Sequence, residues 1–330
     1  MSYLFPSPTI TFEAALRDIA TASPKGRIQA ARALGDVEDA VEKRRAYDAL
    51  VAALDDDQYA VRAEACASLG QLGDASALPH LVKRLDDGEP PVRQNAAIAL
   101  GTLRAADGFE PLATALREGP ADLRYQAATS IAEIDPERAF EPVMTALGDR
   151  DAQVVGAAAL SVGAIAKEDA AKKDKAIAAL VEKLEHKDAN ARFDVAYALA
   201  ELGRNDGADV LAKYFADEER AWDAVTALVE LDAKAELVKA AESKRTVAEA
   251  RVLAAGKVLA LDASQEFARA VLIESLTHRK PNVRGLAIEQ LRIVGGTWAK
   301  APLEKLARSG KGEDLIEPIT GALAAIKART

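Results

Sequence analysis

The sequence predicts an all-α protein, an α-solenoid of about ten helical hairpins. Three observations carry this prediction. An apolar pair recurs at intervals near 31 residues. Alanine and leucine dominate an apolar set that makes up 49% of the chain. Aromatic residues are only 5%. Alanine has the best helix propensity and lets helices approach closely. A sheet protein would draw more on β-branched and aromatic residues. Length alone, at 330 residues, would suggest two or three ordinary domains. That expectation gives way when a chain repeats.

The repeat is anchored by a large apolar residue with another three places on. The first members are Leu34, Leu69, Leu100, Ile131, Val162, Leu199, Leu228, Val258, Leu291 and Leu323. Their partners are Val37, Leu72, Leu103, Ile134, Ile165, Leu202, Leu231, Leu261, Val294 and Ile326. Successive anchors lie 35, 31, 31, 31, 37, 29, 30, 33 and 32 residues apart. Positions not used to set this register confirm it. Seven residues before the anchor stand Arg27, Arg62, Arg93, Arg124, Arg192, Arg251 and Arg284, with Val155, Ala221 and Ile316 in the other three repeats.

Each repeat reads as two helices. The second, helix B, is seen from Val92 to Leu103, where apolar residues 92, 96, 99, 100 and 103 follow helical spacing. The first, helix A, is seen in Leu78, Leu81, Val82 and Leu85. Polar loops join A to B at Asp55–Asp57, Asp86–Gly88, Gly148–Asp151 and His186–Asp188. Acids there suit the positive end of helix B. Pro79, Pro111, Pro142 and Pro302 fall at matching places in helix A. They mark its first turn, or a kink if the helix starts earlier. Such hairpins cannot bury their apolar faces alone, so they stack on their neighbours. Residues 12–330 are therefore expected to form one repeat array, preceded by an extended arm over 1–11 that contains Pro6 and Pro8. The last repeat has Ile316 in place of the arginine, which fits a modified end unit.

The template Val-Arg-x-x-Ala-Ala-x-Ala-Leu-Gly-x-Leu-Gly is carried best by residues 61–73, 92–103 and 191–203. With its spacing near 30 residues, it resembles the short HEAT repeats of the phycobilisome (PBS) lyase HEAT-like group. HEAT and armadillo units of the longer kind run about 40–47 residues. The resemblance covers roughly residues 12–330. It implies a right-handed α-solenoid, an alpha-alpha superhelix of the armadillo and HEAT type. A shared fold does not specify a site.

Charge and cysteine usage bound the function. The net charge is −9, which argues against the phosphate backbone as main partner. The charge is uneven: residues 271–330 hold ten Lys/Arg and six Asp/Glu, giving +4 and leaving −13 for the rest. Cys66 is the only cysteine, so no intrachain disulfide is possible. Met1 to Phe12 has no basic residue and no apolar signal core, and no run of about 18 apolar residues occurs. A soluble, cytoplasmic protein without membrane insertion is the expectation.

Two rows of residues are candidates for function. The arginine row, Arg27, Arg62, Arg93, Arg124, Arg192, Arg251 and Arg284, reads as a structural ladder. Its guanidinium forks are placed to bond loop carboxylates such as Asp56, Asp87, Asp149 and Asp188 of the same or the next repeat. The second row lies on helix B. Six residues before the anchor stand Tyr125, Phe193 and Trp222; two before it stand Ile98, Leu160 and Tyr197. Acids surround them at Glu133, Asp194, Glu201, Asp223 and Glu230. The B helices of HEAT-like solenoids line the concave groove. This row is either an exposed aromatic floor with an acidic rim, which would mark a contact site, or a set of rings buried between neighbouring helices.

No catalytic constellation is visible. His80, His186 and His278 lie about a hundred residues apart, and no H-E-x-x-H, paired C-x-x-C, G-x-S-x-G or phosphate-loop pattern occurs. No cofactor and no metal site are expected. The reading is a non-catalytic scaffold whose concave B-helix face binds a protein. Two alternatives stand beside it. A bilin lyase-like enzyme subunit is suggested by the resemblance, but the acidic surroundings of the aromatics fit tetrapyrrole propionates poorly. A HEAT-like DNA glycosylase is suggested by Trp222 beside Asp223, but its family relies on a basic face.

Overall fold

The apolar anchors that mark the repeat fall on the second helix of each hairpin, nine of the ten fully buried, while their partners range from buried Leu72, Ile165, Leu202 and Ile326 to exposed Leu261. A computed structural model describes residues 10–330, apart from the side chain of Lys311. Among the described residues the regular structure is all helical: twenty α-helices and four short 3-10 turns. They divide into two compact units, one ending at Lys172 and the other spanning Lys173–Thr330.

In the first unit the hairpins are α1 (Phe12–Thr21) with α2 (Pro24–Gly35), α3 (Ala40–Ala53) with α4 (Tyr59–Leu72), and α5 (Leu78–Arg84) with α6 (Pro90–Leu103). Then follow α7 (Phe109–Glu118) with α8 (Ala121–Ile134), and α9 (Pro136–Ala146) with α10 (Ala152–Glu168). The next helix, α11 (Ala170–Lys183), begins three residues before the second unit and precedes α12 (Ala189–Glu201). The second unit continues with α13 (Ala208–Ala212) and α14 (Ala221–Glu230), then α15 (Lys234–Glu242) and α16 (Ala248–Leu261). It ends with α17 (Glu266–Ser275) and α18 (Pro281–Val294), then α19 (Thr297–Ala307) and α20 (Ile316–Arg329). The chain is an α-solenoid of ten hairpins. Of the N-terminal arm expected over 1–11, only Ile10 and Thr11 lie within the described residues; Thr11 caps α1, its hydroxyl accepting from Ala14 N.

Anchors Leu34, Leu69, Leu100, Ile131 and Val162 of the first unit are fully buried. So are Leu199, Leu228, Val258 and Leu291 of the second. Leu323 of α20 is half-buried. Small residues let the B helices approach. A Cβ built on Gly70 would lie 2.8 Å from the Ala99 Cα, and one on Gly101 would lie 3.0 Å from the Ser130 carbonyl oxygen. In each case the glycine one past an anchor abuts the residue one before the next anchor.

Helix ends follow from local chemistry. Asp39, Asp151 and Asp188 accept hydrogen bonds from the first backbone N–H groups of α3, α10 and α12. Four residues after the anchor the chain turns left-handed at Gly73, Arg104, Gly203 and Asp232, with φ of 79°, 50°, 77° and 52°. Pro79 and Pro111 sit in the first turns of α5 and α7. Pro142 and Pro302 are interior, since α9 and α19 start earlier in their repeats.

Candidate functional site

Each ladder arginine stands near the start of helix B, where a long side chain can reach the A–B loop. In the first unit it does two jobs. Nη1 donates backward to carbonyls of its own hairpin's loop: Arg27 to Ala22, Arg62 to Asp56, Arg93 to Asp87 and Arg124 to Gly119, at 2.8–3.2 Å. The other nitrogens fork onto a carboxylate in the next hairpin. Arg27 takes Asp56, Arg62 takes Asp87, Arg93 takes Asp122 and Arg124 takes Asp149. Arg124 is only 4% exposed, so its pairing with Asp149 at 2.7 Å is a buried bidentate bond. The Arg62 guanidinium holds the Asp87 carboxyl below the usual carboxylate range, against the opposing effect of burial.

The same aspartates also shape the loop. Asp56, Asp87 and Asp149 each accept from the backbone N–H two residues on. In the second unit His186 and His278 occupy that place, their Nδ1 atoms accepting from Asp188 N and Lys280 N. A histidine keeps the turn but offers no carboxylate to the preceding repeat; the places an acid would take for Arg192 and Arg284 are Phe215 and Gly310. Arg192 and Arg284 donate to loop carbonyls alone, Arg192 to His186 and Lys187, and Arg284 to His278 and Arg279. Arg251 bonds the Ala241 carbonyl and lies 3.4 Å from Glu274. Asp188, expected among the ladder acids, instead caps α12 through Asn190 N and Ala191 N. Asp122 serves Arg93 although sequence reasoning passed over it, because it lies inside the first turn of α8 rather than in the loop before it.

The row of large residues divides. In the first unit Tyr125 is 41% exposed, and Ile98 and Leu160 on α6 and α10 are exposed too. In the second, Trp222 on α14 is 44% exposed and Tyr197 on α12 is half-buried. Burial raises the pKa of the Tyr197 hydroxyl, and the charges of Glu201, Asp223 and Glu230 raise it further. Phe193 corrects the picture of an exposed floor: it is 5% exposed. Tyr214 meets its ring edge-on at 4.7 Å, Tyr197 stacks at 6.4 Å, and the Arg220 guanidinium covers it at 4.6 Å. Arg220 lies one residue before Ala221, which holds the ladder place in that repeat. No repeat rule predicts this cover. Asp194 sits 3.9 Å from Arg220, and burial raises its carboxyl above the ordinary range despite that cation.

Other reactive groups are occupied structurally. Burial pushes the Cys66 thiol up to about 12, so it is not a nucleophile at neutral pH. The His80 ring meets Tyr47 edge-on at 6.5 Å. Among the described residues, no group of three or more His, Cys, Asp or Glu is placed to hold a metal ion. No helix there is long and apolar enough to cross a membrane.

A family model of HEAT repeats matches residues 13–101 and 109–173. No curated protein matches the chain by sequence. Several solved structures resemble it. A chain of the Kap95:Nup1 complex aligns over 96% of this chain and 52% of its own length, at 11% identity and a TM-score of 0.66. Kap121p aligns over 97% of this chain and 45% of its own, at 17% identity and a TM-score of 0.59. A chain from the complex of CpcE and CpcF of phycocyanin lyase, from a Nostoc species, aligns over 79% of this chain and 99% of its own, at 22% identity and a TM-score of 0.46. Identities this low speak to fold alone. The family match over residues 13–101 and 109–173 places HEAT repeats in the first unit, and the same register of helical hairpins continues in the second.

Proposed function

We propose that the chain is a non-catalytic scaffold whose B-helix face binds a protein segment carrying both apolar and basic groups. The observation that carries this reading is Trp222, 44% exposed on α14 in the second unit and next to Asp223 in sequence. Contiguous apolar surface left in water marks contact sites, and Trp222 would contribute to one together with the half-buried Tyr197. Trp and Tyr are favoured anchors of interfaces. The negative field felt by Tyr197, from Glu201, Asp223 and Glu230, selects a cationic partner. Phe193, Tyr214 and Arg220 form the support beneath this face, and Asp194 joins its rim. In the first unit Tyr125, with Ile98 and Leu160, supplies a second apolar row. Kap95, of the same fold, is held in a complex with Nup1, so a partner protein is a use to which such hairpins are put.

The test is affinity capture from native extract by wild type, by Trp222→Ala and by Asp223→Asn/Glu230→Gln, with circular dichroism on each. The reading requires a stoichiometric protein that Trp222→Ala loses at unchanged helicity. The charge variant should weaken its capture at low salt and matter little at high salt. Equal capture by all three would overturn the assignment of this face.

A further inference from the structure

The A–B loops change sign along the chain. Between α3 and α4 the loop carries Asp55, Asp56 and Asp57, and between α5 and α6 it carries Asp86, Asp87 and Glu89, with no cation in either. Between α15 and α16 the loop instead carries Lys244 and Arg245, and between α17 and α18 it carries Arg279 and Lys280, with no acid in either. The change is in register. Thirteen residues before the anchor, the first two hairpins have Asp56 and Asp87, and the other two have Arg245 and His278.

Both sets face water. Lys244, Arg245, Arg279 and Lys280 are exposed, as are Asp55, Asp57, Asp86 and Glu89. Lys280 pairs at 3.3 Å with Glu249 in the first turn of α16, which brings the two basic loops side by side. On the acidic side Arg84 pairs with Asp55 of the loop before its own helix and lies 3.7 Å from Asp87 of the loop after it, which joins those two loops likewise. Among the described residues, Lys244, Arg245, Arg279, Asp86 and Glu89 enter no ion pair. The step along each edge is the same. α4 packs on α6 and α16 on α18, and packed helices lie about 8–10 Å apart. Fields are screened beyond about 8 Å at physiological ionic strength, so a local match of sign and step decides what such an edge binds.

We propose that the loops at 243–247 and 276–280 bind the loops at 54–58 and 85–89 of a second copy of this chain, edge to edge. The acidic loops supply the opposite charge at the matching step. Tyr59, 47% exposed at the start of α4, adds a ring on which an incoming guanidinium can rest. The two surfaces are unlike, so the contact is heterologous. It lies on the loops and does not depend on the B-helix face.

The test is sedimentation of the full chain at low and at physiological salt. It compares wild type, the basic-loop variant Arg245→Glu/Arg279→Glu, the acidic-loop variant Asp86→Lys/Glu89→Lys, and an equimolar mixture of the two variants. Because these residues enter no ion pair within the chain, reversal strands no partner, and circular dichroism should be unchanged. Wild type should self-associate, less so as salt rises. Either variant alone sets like charges face to face and should associate about 100-fold or more weakly. The mixture should regain the association, since each variant keeps intact the edge that the other has lost. A wild type that stays monomeric at every concentration, a variant that associates as wild type does, or a mixture no tighter than its components would each overturn the proposal. So would a monomeric wild type that binds duplex DNA or phosphatidylserine vesicles and loses them with Arg245→Glu/Arg279→Glu, which would give the basic loops to a phosphate surface instead.

Discussion

Arg62 grips Asp87 with Nε and Nη2, both at 2.9 Å, while its Nη1 donates to the carbonyl of Asp56 at the same distance. One side chain thus closes the loop of its own hairpin and fastens the loop of the next. The Asp87 side chain is almost wholly buried, so the pair stands or falls together.

Removing one member strands the other. Arg124→Met, at the most buried rung, should cost about 3–5 kcal/mol, the usual effect of leaving a buried charge without its partner. Urea denaturation with Arg124→Met/Asp149→Leu completes the cycle. The double change should recover much of that loss, because both charges go. A double variant as unstable as the single would show that the loop carbonyl bond to Gly119, not the ion pair, carries the rung.

The ladder sets an acid limit on the first unit. The Asp87 carboxyl, held down by Arg62, has a folded pKa below its unfolded value of about 3.9. Its stabilising contribution is complete above that value and is lost as pH falls through the folded pKa. The melting temperatures of wild type and Asp87→Asn should differ most at neutral pH and converge below about pH 4. A gap that stays constant into strong acid would refute the linkage.

Close helix approach makes some glycines irreplaceable and leaves others free. Gly70→Val would press a branched side chain on the Ala99 backbone, 2.8 Å from the would-be Cβ, and should cost about 1–3 kcal/mol or more. Gly285 is inside α18 with open space where a Cβ would go. Gly285→Ala should therefore stabilise by about 0.5–1 kcal/mol. Thermal melts of the two variants should move in opposite directions.

Two aromatics from one sequence position should answer truncation differently. Phe193→Ala should destabilise by about 3–5 kcal/mol, since the ring is enclosed by Tyr214, Tyr197 and Arg220. Trp222→Ala should change stability by no more than about 0.5 kcal/mol. Chemical denaturation separates them, and a large loss for Trp222→Ala would place that ring in the core.

What the sequence revealed was what repeats. The anchors, the loops and the arginine row are periodic, and stacking forces equivalent residues into equivalent surroundings, so register alone located them. The buried side of helix B could be read from Val92 to Leu103 without coordinates. What did not repeat was hidden. Tyr214 and Arg220 close over Phe193 from places with no counterpart in the template. Asp122 does the work of a loop acid from within a helix. Ladder partners are set by translation from one hairpin to the next. The spacing of Arg62 to Asp87 and of Arg124 to Asp149 is 25 residues, whereas Arg27 to Asp56 and Arg93 to Asp122 is 29. No single offset would have matched them.

In the first unit every fork points the same way along the chain: the arginine comes first and its acid 25–29 residues later. The stack therefore has a polarity that its near-identical units do not advertise. A chain growing from a ribosome has each arginine seated on a finished helix before the loop it will hold has emerged. Every new hairpin meets a waiting clasp, and assembly that proceeds from the amino end is templated at each step. A chain refolding from its carboxyl end must instead assemble loops whose clasps are still unfolded.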